Sequence, residues 1–409
     1  MPDMDVGSQS QFKDEFAMET LAIPLPAHLP PDVCTEISKR ACYCDTSILK
    51  SRYRQDSNCL EIDLQGSSAS GDVAAKLEHL IGKMQIERLT VTPRVLRERT
   101  RDLQRFVPTA YEQLVARGDI WTSGSGVVGR GGAFMRLLGR LDTAIERLAV
   151  REYQAAPQSY NSLVPSDWLR RAGYFSSFPH SVTFAVHLRE DFEAIERFGK
   201  RHGQGENPTF EDVSEIAPPE HCLSPAVCYH TYGALMGHRL SAGAVSAYTG
   251  HGRCFRYESK NLRGLDRLWE FSMREIVWLG DREAVLGARE TAIDSAWRLV
   301  SLLDLSARLE TACDPFFAGD FPSLRFFQLA HDLKYELQVD VAPGTSIACA
   351  SFNYHERFFG TRFGITSAHG EAAHTGCAAF GLERLLYACY CQHGLERAQE
   401  LVESAARRL

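Results

Sequence analysis

Residues 253–280 read RCFRYESKNLRGLDRLWEFSMREIVWLG, and no other stretch constrains the fold as strongly. Both ends alternate in the two-residue rhythm of a strand. A loop rich in cations, SKNLRGLDR, joins them. SVTFAVHL, KYELQVDV, SIACASFNY and RFGITS are further strand candidates, several separated only by short turns. They favour an antiparallel sheet over βαβ repeats. Helical spacing brackets them in FEAIERFGKRH, AVLGARETAIDSAWRLVSLLDL and the C-terminal FGLERLLYACYCQHGLERAQELVESAARRL. The expected class is α+β: an antiparallel sheet flanked by helices, with a small α+β module ahead of it.

Residues 1–30 are polar and punctuated by proline (IPLPAHLPP), which reads as a disordered tail. Residues 31–110 read as the small module, with helical DVCTEISKRACYC, strands ILKSRY and CLEIDL around the turn RQDSN, and amphipathic VAAKLEHLIGKMQI. RVLRERTRDLQRFV is expected to be helical, and 111–151 reads as a helical connection. GSGVVGRGG interrupts that connection as a flexible loop, because it lacks the Lys-Ser/Thr of a phosphate-binding P-loop. Residues 152–409 form the mixed domain.

Composition excludes several classes. No apolar run approaches the roughly 18 residues of a membrane span. The polar, acidic start MPDMDVGSQSQFKDEF is unlike a signal peptide, so a cytoplasmic protein is expected. A net charge of −7 argues against a large nucleic-acid footprint. The 12 cysteines include no paired CxxC ribbon and read mostly as small buried hydrophobes rather than a disulfide framework.

The chemistry concentrates at three places. In RCFRYE, alternation puts Cys254, Arg256 and Glu258 on one face, where an arginine and a carboxylate can divide a ligand between them or form an ion pair. In LWEFSMREIVWLG, Trp269, Phe271, Met273 and Glu275 share a face, and Glu270 and Arg274 lie on the other. A carboxylate in line with that apolar row must be paired or bound to metal. In AHTGCAAFGLERLL, Gly376 and Gly381 allow close backbone approach, and Arg384 opens a buried helix with no acid nearby that clearly compensates it. A polyphosphate, or a base stacked on the guanidinium, would offset that charge.

CFRYE…RGLDRLWEFSMRE resembles motif 2 of the class II aminoacyl-tRNA synthetases, and GCAAFGLERL resembles their motif 3. CLSPAVCYHTY resembles the segment that grips the substrate amine in seryl enzymes, with Cys228 in place of the usual glutamate. Two such cysteines and a glutamate closing motif 2 resemble the zinc set of the atypical seryl-tRNA synthetases and of their relatives, the amino acid:[carrier protein] ligases. SFNYHERFFGTRFGI is similar to the latter group. The resemblance implies a class II catalytic domain, normally a homodimer, with zinc on Cys228, Glu275 and Cys377 and a fourth position open to water or a neutral α-amine. The rival reading is two core cysteines and a salt-bridged glutamate. The resemblance further implies ATP bound by Arg256, Glu258, Arg267, Phe271 and Arg384. Arg256 would bridge the amino acid carboxylate and the α-phosphate, Glu258 would read the adenine amino group, and Arg267 would hold the γ-phosphate. Phe271 and Arg384 would sandwich adenine. Mg2+ would accompany ATP, but Ile347, Ala348 and Cys349 stand where the family usually places a magnesium-binding glutamate ahead of the asparagine that Asn353 resembles. Glu336 is a substitute candidate.

The chain shows no sustained basic coiled coil ahead of the domain, so tRNA is not the expected acceptor. The expected function is ATP-dependent activation of a small amino acid, glycine or alanine, and transfer to the phosphopantetheine thiol of a carrier protein. LRRAGY and the cations near 97–105 are candidate carrier contacts. The alternatives are an atypical seryl-tRNA synthetase and a catalytically inactive paralogue with a binding role.

Overall fold

The computed structural model describes residues 18–65, 70–85, 93–101, 106–203, 214–243, 245–314, 316 and 328–409. It divides into two compact units, Met1–Thr90 with Ser259–Asn261, and Val91–Glu258 with Leu262–Leu409. The first contains β1 (Met18–Pro24), α1 (Pro31–Ala41), β2 (Ile48–Arg54), β3 (Cys59–Gln65) and α2 (Ser70–Gln85). Its antiparallel sheet has the order β1-β3-β2. Alternation along CLEIDL buries Leu60, Ile62 and Leu64, and Val33 and Ile37 of α1 and Leu77 and Ile81 of α2 are buried in the same unit. Part of the expected tail is therefore a strand: β1 pairs along β3 and buries Ile23, with Leu25 buried just beyond.

The second unit begins with β4 (Val95–Arg99), α3 (Ala110–Ala116), β5 (Ile120–Gly124), β6 (Val127–Arg130), α4 (Gly132–Tyr153) and β7 (Ala156–Ser159). A front layer follows: β8 (Leu163–Pro165), α5 (Ser166–Arg171), α6 (Tyr174–Ser177), β9 (Phe184–Ala185), α7 (Phe192–His202), β10 (His221–Leu223) and α8 (Cys228–Ala234). Then come β11 (Ser246–Phe255), β12 (Glu270–Gly280), α9 (Arg282–Leu302), β13 (Ala307–Thr311), β14 (Lys334–Ala342) and β15 (Thr345–Tyr354). The chain ends with α10 (Phe358–Phe363), β16 (His374–Gly381), α11 (Leu382–His393) and α12 (Leu395–Arg408). The eight-stranded sheet has the order β4-β13-β14-β15-β16-β12-β11-β7. Every pairing in it is antiparallel except β11 with β7.

Several local expectations change in this context. VLRER is a strand rather than a helix, because β13 offers it an edge to pair with. GSGVVGRGG is a β5–β6 hairpin leading into α4. RFGITS turns instead of extending, with Gly364 at φ 65 closing α10. The C-terminal helical run breaks at Gly394, whose φ of 74 favours glycine.

The sheet has two unlike faces. Behind it, Leu137, Leu141, Ile145 and Leu148 line one stripe of α4 and meet α9, α11 and α12. Ile276 and Trp278 of β12 point into this core, and Arg274 joins them as a cation. Its guanidinium meets Asp142 at 2.6 and 2.8 Å and Glu146 at 2.9 Å, two acids one turn apart on α4. The front face carries the odd residues of β12, covered by α8 and α10.

Gly376 on β16 faces Trp278, which is fully buried and stacked on Tyr153 with centroids 5.7 Å apart. A Cβ at Gly376 would lie 2.4 Å from the indole Nε1 and 2.7 Å from the Asn353 carbonyl. Gly376→Ala should therefore destabilise the domain by about 1–3 kcal/mol. Urea denaturation checks this, and an unchanged midpoint would contradict it.

Candidate active site

Strand register assembles the front-face site. Val277 pairs with Cys377, and Glu275 with Ala379, so alternation turns Glu275 and Cys377 to the same side. Cys228 begins α8 above them. The two sulfurs and a Glu275 oxygen all lie within 4.8 Å of one another. The relative exposures are 7% for Cys228, 1% for Glu275 and 3% for Cys377. Glu275 Oε1 accepts the Val227 N–H at 2.8 Å, while Oε2 is buried and has no well-formed hydrogen bond among the described residues, with the Cys228 thiol beside the carboxyl. The Cys377 sulfur accepts from Asn353 Nδ2 at 3.4 Å.

Both cysteines do line an apolar cluster, as the core reading expects. That reading leaves Glu275 unexplained, because no salt bridge reaches it among the described residues and one oxygen is orphaned. Two thiolates and a carboxylate at this separation suit a tetrahedral cation whose Zn–S and Zn–O distances are about 2.3 and 2.0–2.2 Å. The donor set fits zinc.

Without metal the trio shares its charge unevenly. Hydrogen bonding from Cys228 outweighs burial and holds the Cys377 thiol below its usual range, with His355 and Asn353 assisting. The Cys377 sulfur and burial both push Cys228 up. Burial, then the neighbouring Cys377 charge, pushes Glu275 up to about 8.

The second half of the site lies where β11 ends. Arg256 donates Nε–H to the Pro225 carbonyl at 2.9 Å, and its guanidinium lies 5.5 Å from the Phe271 ring centroid. Glu258 and Arg267 form an ion pair. Burial pushes the Glu258 carboxyl up, but Arg267, Arg384 and Arg256 outweigh it and hold the group below its ordinary value. Arg384, near the start of α11, donates to the Asp266 carbonyl at 2.6 Å and the Ala348 carbonyl at 3.2 Å. Three arginines thus gather around one carboxylate, a local positive excess suited to phosphate. Between this cluster and Glu275 lies an apolar floor of Val227, Cys254, Met273 and Ala379, flanked by Tyr160 and Phe271.

The structure also pairs charged residues the motifs did not single out. Lys334 pairs with Asp314 at 2.7 Å and with Glu336 at 2.9 Å, so the Glu336 carboxylate is already engaged. Arg130 of the hairpin pairs with Glu383 at 3.1 Å, and Glu383 also accepts the Ser272 N–H at 2.8 Å. The acid beside Arg384 in GLER was the available signal, but its partner lies in a hairpin read as a loop. The proposed carrier-contact cations have acidic neighbours: Arg97 meets Asp294 at 2.6 Å, Arg99 and Arg101 meet Asp304 at 2.6 and 2.8 Å, and Arg170 and Arg171 share Asp167. Residues 102–105 of that stretch lie outside the described residues.

No family model matches the chain. Over 274 residues it is 34% identical to amino acid–[acyl-carrier-protein] ligase 2 of Bradyrhizobium diazoefficiens, covering 67% of this chain and 80% of that protein. The chain belongs to the amino acid–[acyl-carrier-protein] ligases. Ligase 1 of the same organism is 32% identical over 261 residues, covering 62% of this chain and 78% of that protein. This ligase is also 25% identical over 269 residues to the type-2 serine–tRNA ligase of Methanopyrus kandleri, covering 62% of this chain and 51% of that protein. Its fold matches an M. kandleri seryl-tRNA synthetase solved with A. aeolicus tRNASec, with a TM-score of 0.66 and 19% identity over 94% of this chain and 77% of that one. The ligase therefore has the class II aminoacyl-tRNA synthetase fold, an antiparallel-rich sheet flanked by helices.

Metal ligation requires all three donors to be deprotonated. With Cys377 already low, Cys228 and Glu275 are the groups left to ionise, so zinc uptake near pH 7 should release two protons. Apparent zinc affinity should fall about 100-fold for each pH unit below 7. Calorimetry in buffers of different ionisation enthalpy counts the protons, and release of none would contradict this charge distribution.

Proposed function

We propose that this ligase activates a small amino acid with ATP as an aminoacyl adenylate and transfers it to the phosphopantetheine thiol of a carrier protein. The observation that carries the reading is the Cys228–Glu275–Cys377 trio and the arginine cluster around Glu258, with the apolar floor between them. Its relatives' names supply the carrier protein as acceptor. Zinc held by Cys228, Glu275 and Cys377 would supply a Lewis acid for the substrate's neutral α-amine.

The chain's own residues position and neutralise charge. Arg256 would hold the amino acid carboxylate against the α-phosphate while the carboxylate oxygen attacks phosphorus and pyrophosphate leaves. Arg267 would release Glu258 to meet the γ-phosphate, freeing Glu258 for the adenine amino group. Phe271 and Arg384 would enclose the base. In the second half-reaction the carrier thiol sulfur attacks the acyl carbon and AMP leaves, giving the thioester. Mg2+ would arrive with ATP, since Ile347, Ala348 and Cys349 offer no side-chain oxygen and Glu336 is paired with Lys334.

Glycine or alanine is the proposed substrate. Val227, Cys254, Met273 and Ala379 offer no strong hydrogen-bonding side chain to a longer polar group, and Tyr160 and Phe271 flank the floor. The protein is proposed to act as a cytoplasmic homodimer; among the described residues no helix is long and apolar enough to cross a membrane. The type-2 serine–tRNA ligase relatives motivate tRNA serylation as a second reading.

ATP–pyrophosphate exchange over an amino acid panel should respond to glycine or alanine, and Arg256→Ala should lower the rate about 100- to 1,000-fold. Mass spectrometry of a pantetheinylated carrier should then show aminoacyl loading. Serylation of tRNA without carrier loading would decide for the second reading, and absence of exchange with every amino acid would contradict both.

A further inference from the structure

We propose that His355 is a positioning residue for the Cys377 ligand, hydrogen-bonded to its sulfur from outside the metal-binding trio; this rests on the zinc reading above. His355 belongs to the SFNYHERF stretch, whose role the proposed reaction leaves open. It follows the last residue of β15, and its N–H still bonds the Thr375 carbonyl of β16 at 2.9 Å. Asn353 pairs directly with Cys377 in the same ladder. Residues 353 and 355 are two apart, so both side chains turn to the face that carries the sulfur.

The ring is tightly specified. Nε2 lies 4.0 Å from Cys377 Sγ. Nδ1 lies 3.3 Å from the Tyr232 hydroxyl and 3.4 Å from the Thr375 hydroxyl. Either hydroxyl can donate to Nδ1, which leaves the proton on Nε2, aimed at sulfur. Phe359 and Tyr232 hold the imidazole edge-on, at centroid distances of 4.9 and 6.3 Å and interplanar angles of 78° and 87°. His355 is not a fourth corner of the metal site, because its nitrogens do not join the trio's mutual 4.8 Å grouping.

The chemistry explains the need for such a donor. Two thiolates and a carboxylate around a divalent cation leave a net negative charge in a buried layer. An N–H directed at one thiolate disperses part of that charge and holds the ligand in one rotamer. Asn353 Nδ2, 3.4 Å from the same sulfur, is a second donor acting alongside.

The test uses the full chain with zinc, and separately with Co2+, whose sulfur-to-metal charge-transfer band reports the thiolate environment. His355→Phe keeps a ring between Phe359 and Tyr232 but removes the donor. It should weaken zinc binding about 10- to 100-fold by chelator competition and shift the cobalt band. His355→Gln, which retains an N–H donor, should lie closer to the natural protein in both measurements. A folded His355→Phe protein with unchanged zinc affinity and an unchanged cobalt spectrum overturns the proposal. If His355→Phe does not fold, the Tyr232→Phe/Thr375→Val double variant, which removes both hydroxyls facing Nδ1, decides: a shifted cobalt band supports the proposal and an unshifted one overturns it. Failure of the natural protein to bind zinc or Co2+ would instead overturn the zinc reading on which it rests.

Discussion

Everything in the catalytic unit is arranged around a charge problem: a carboxylate and two sulfurs are pressed together in an apolar layer. Glu275 is almost fully buried, has one orphaned oxygen, and faces Cys228 and Cys377. An ordinary core would replace such a group or give it a cation, because an unpaired buried carboxylate costs several kcal/mol. The same strand shows the ordinary solution one residue away. Arg274, on the opposite face, is buried against Asp142 and Glu146 with good geometry. One strand thus carries a satisfied ion network on its back and an incomplete one on its front.

The front face is graded by charge. At one end the trio calls for a cation; at the other, Arg256, Arg267 and Arg384 surround Glu258 and call for an anion. The apolar floor separates the two. A molecule with an amine at one end and a carboxylate joined to phosphate at the other matches that gradient. The donors from Asn353 and His355 converge on a single sulfur, so the cation end is itself supported from behind.

Much of this was legible in the sequence, and the reason is periodicity. Alternation in LWEFSMREIVWLG assigned Glu275 and Arg274 to opposite faces, and the structure agrees. The motif resemblance brought Cys228, Glu275 and Cys377 together on paper, and the structure brings them together in space. Most of the failures share a cause. VLRER became a strand because β13 offered an edge, GSGVVGRGG became a hairpin, and Met18–Pro24 became a strand because β3 accepts it. The hairpin is local and was hidden by its glycines; the other two depended on partners distant in sequence. The Arg130–Glu383 pair stayed hidden for the same reason, since neither residue signals the other.

The sequence by itself determined which side chains share a strand face, because successive residues of a strand point to opposite sides, and it identified the family through short motifs. Only the tertiary structure decided which strands became neighbours. The order β15-β16-β12 sets Asn353 beside Cys377 and Cys377 one row from Glu275. Strand order and register arise from hydrogen bonds between segments about one hundred to two hundred residues apart in the longest cases. No local pattern specifies those pairings, and the chemistry of the site depends on them.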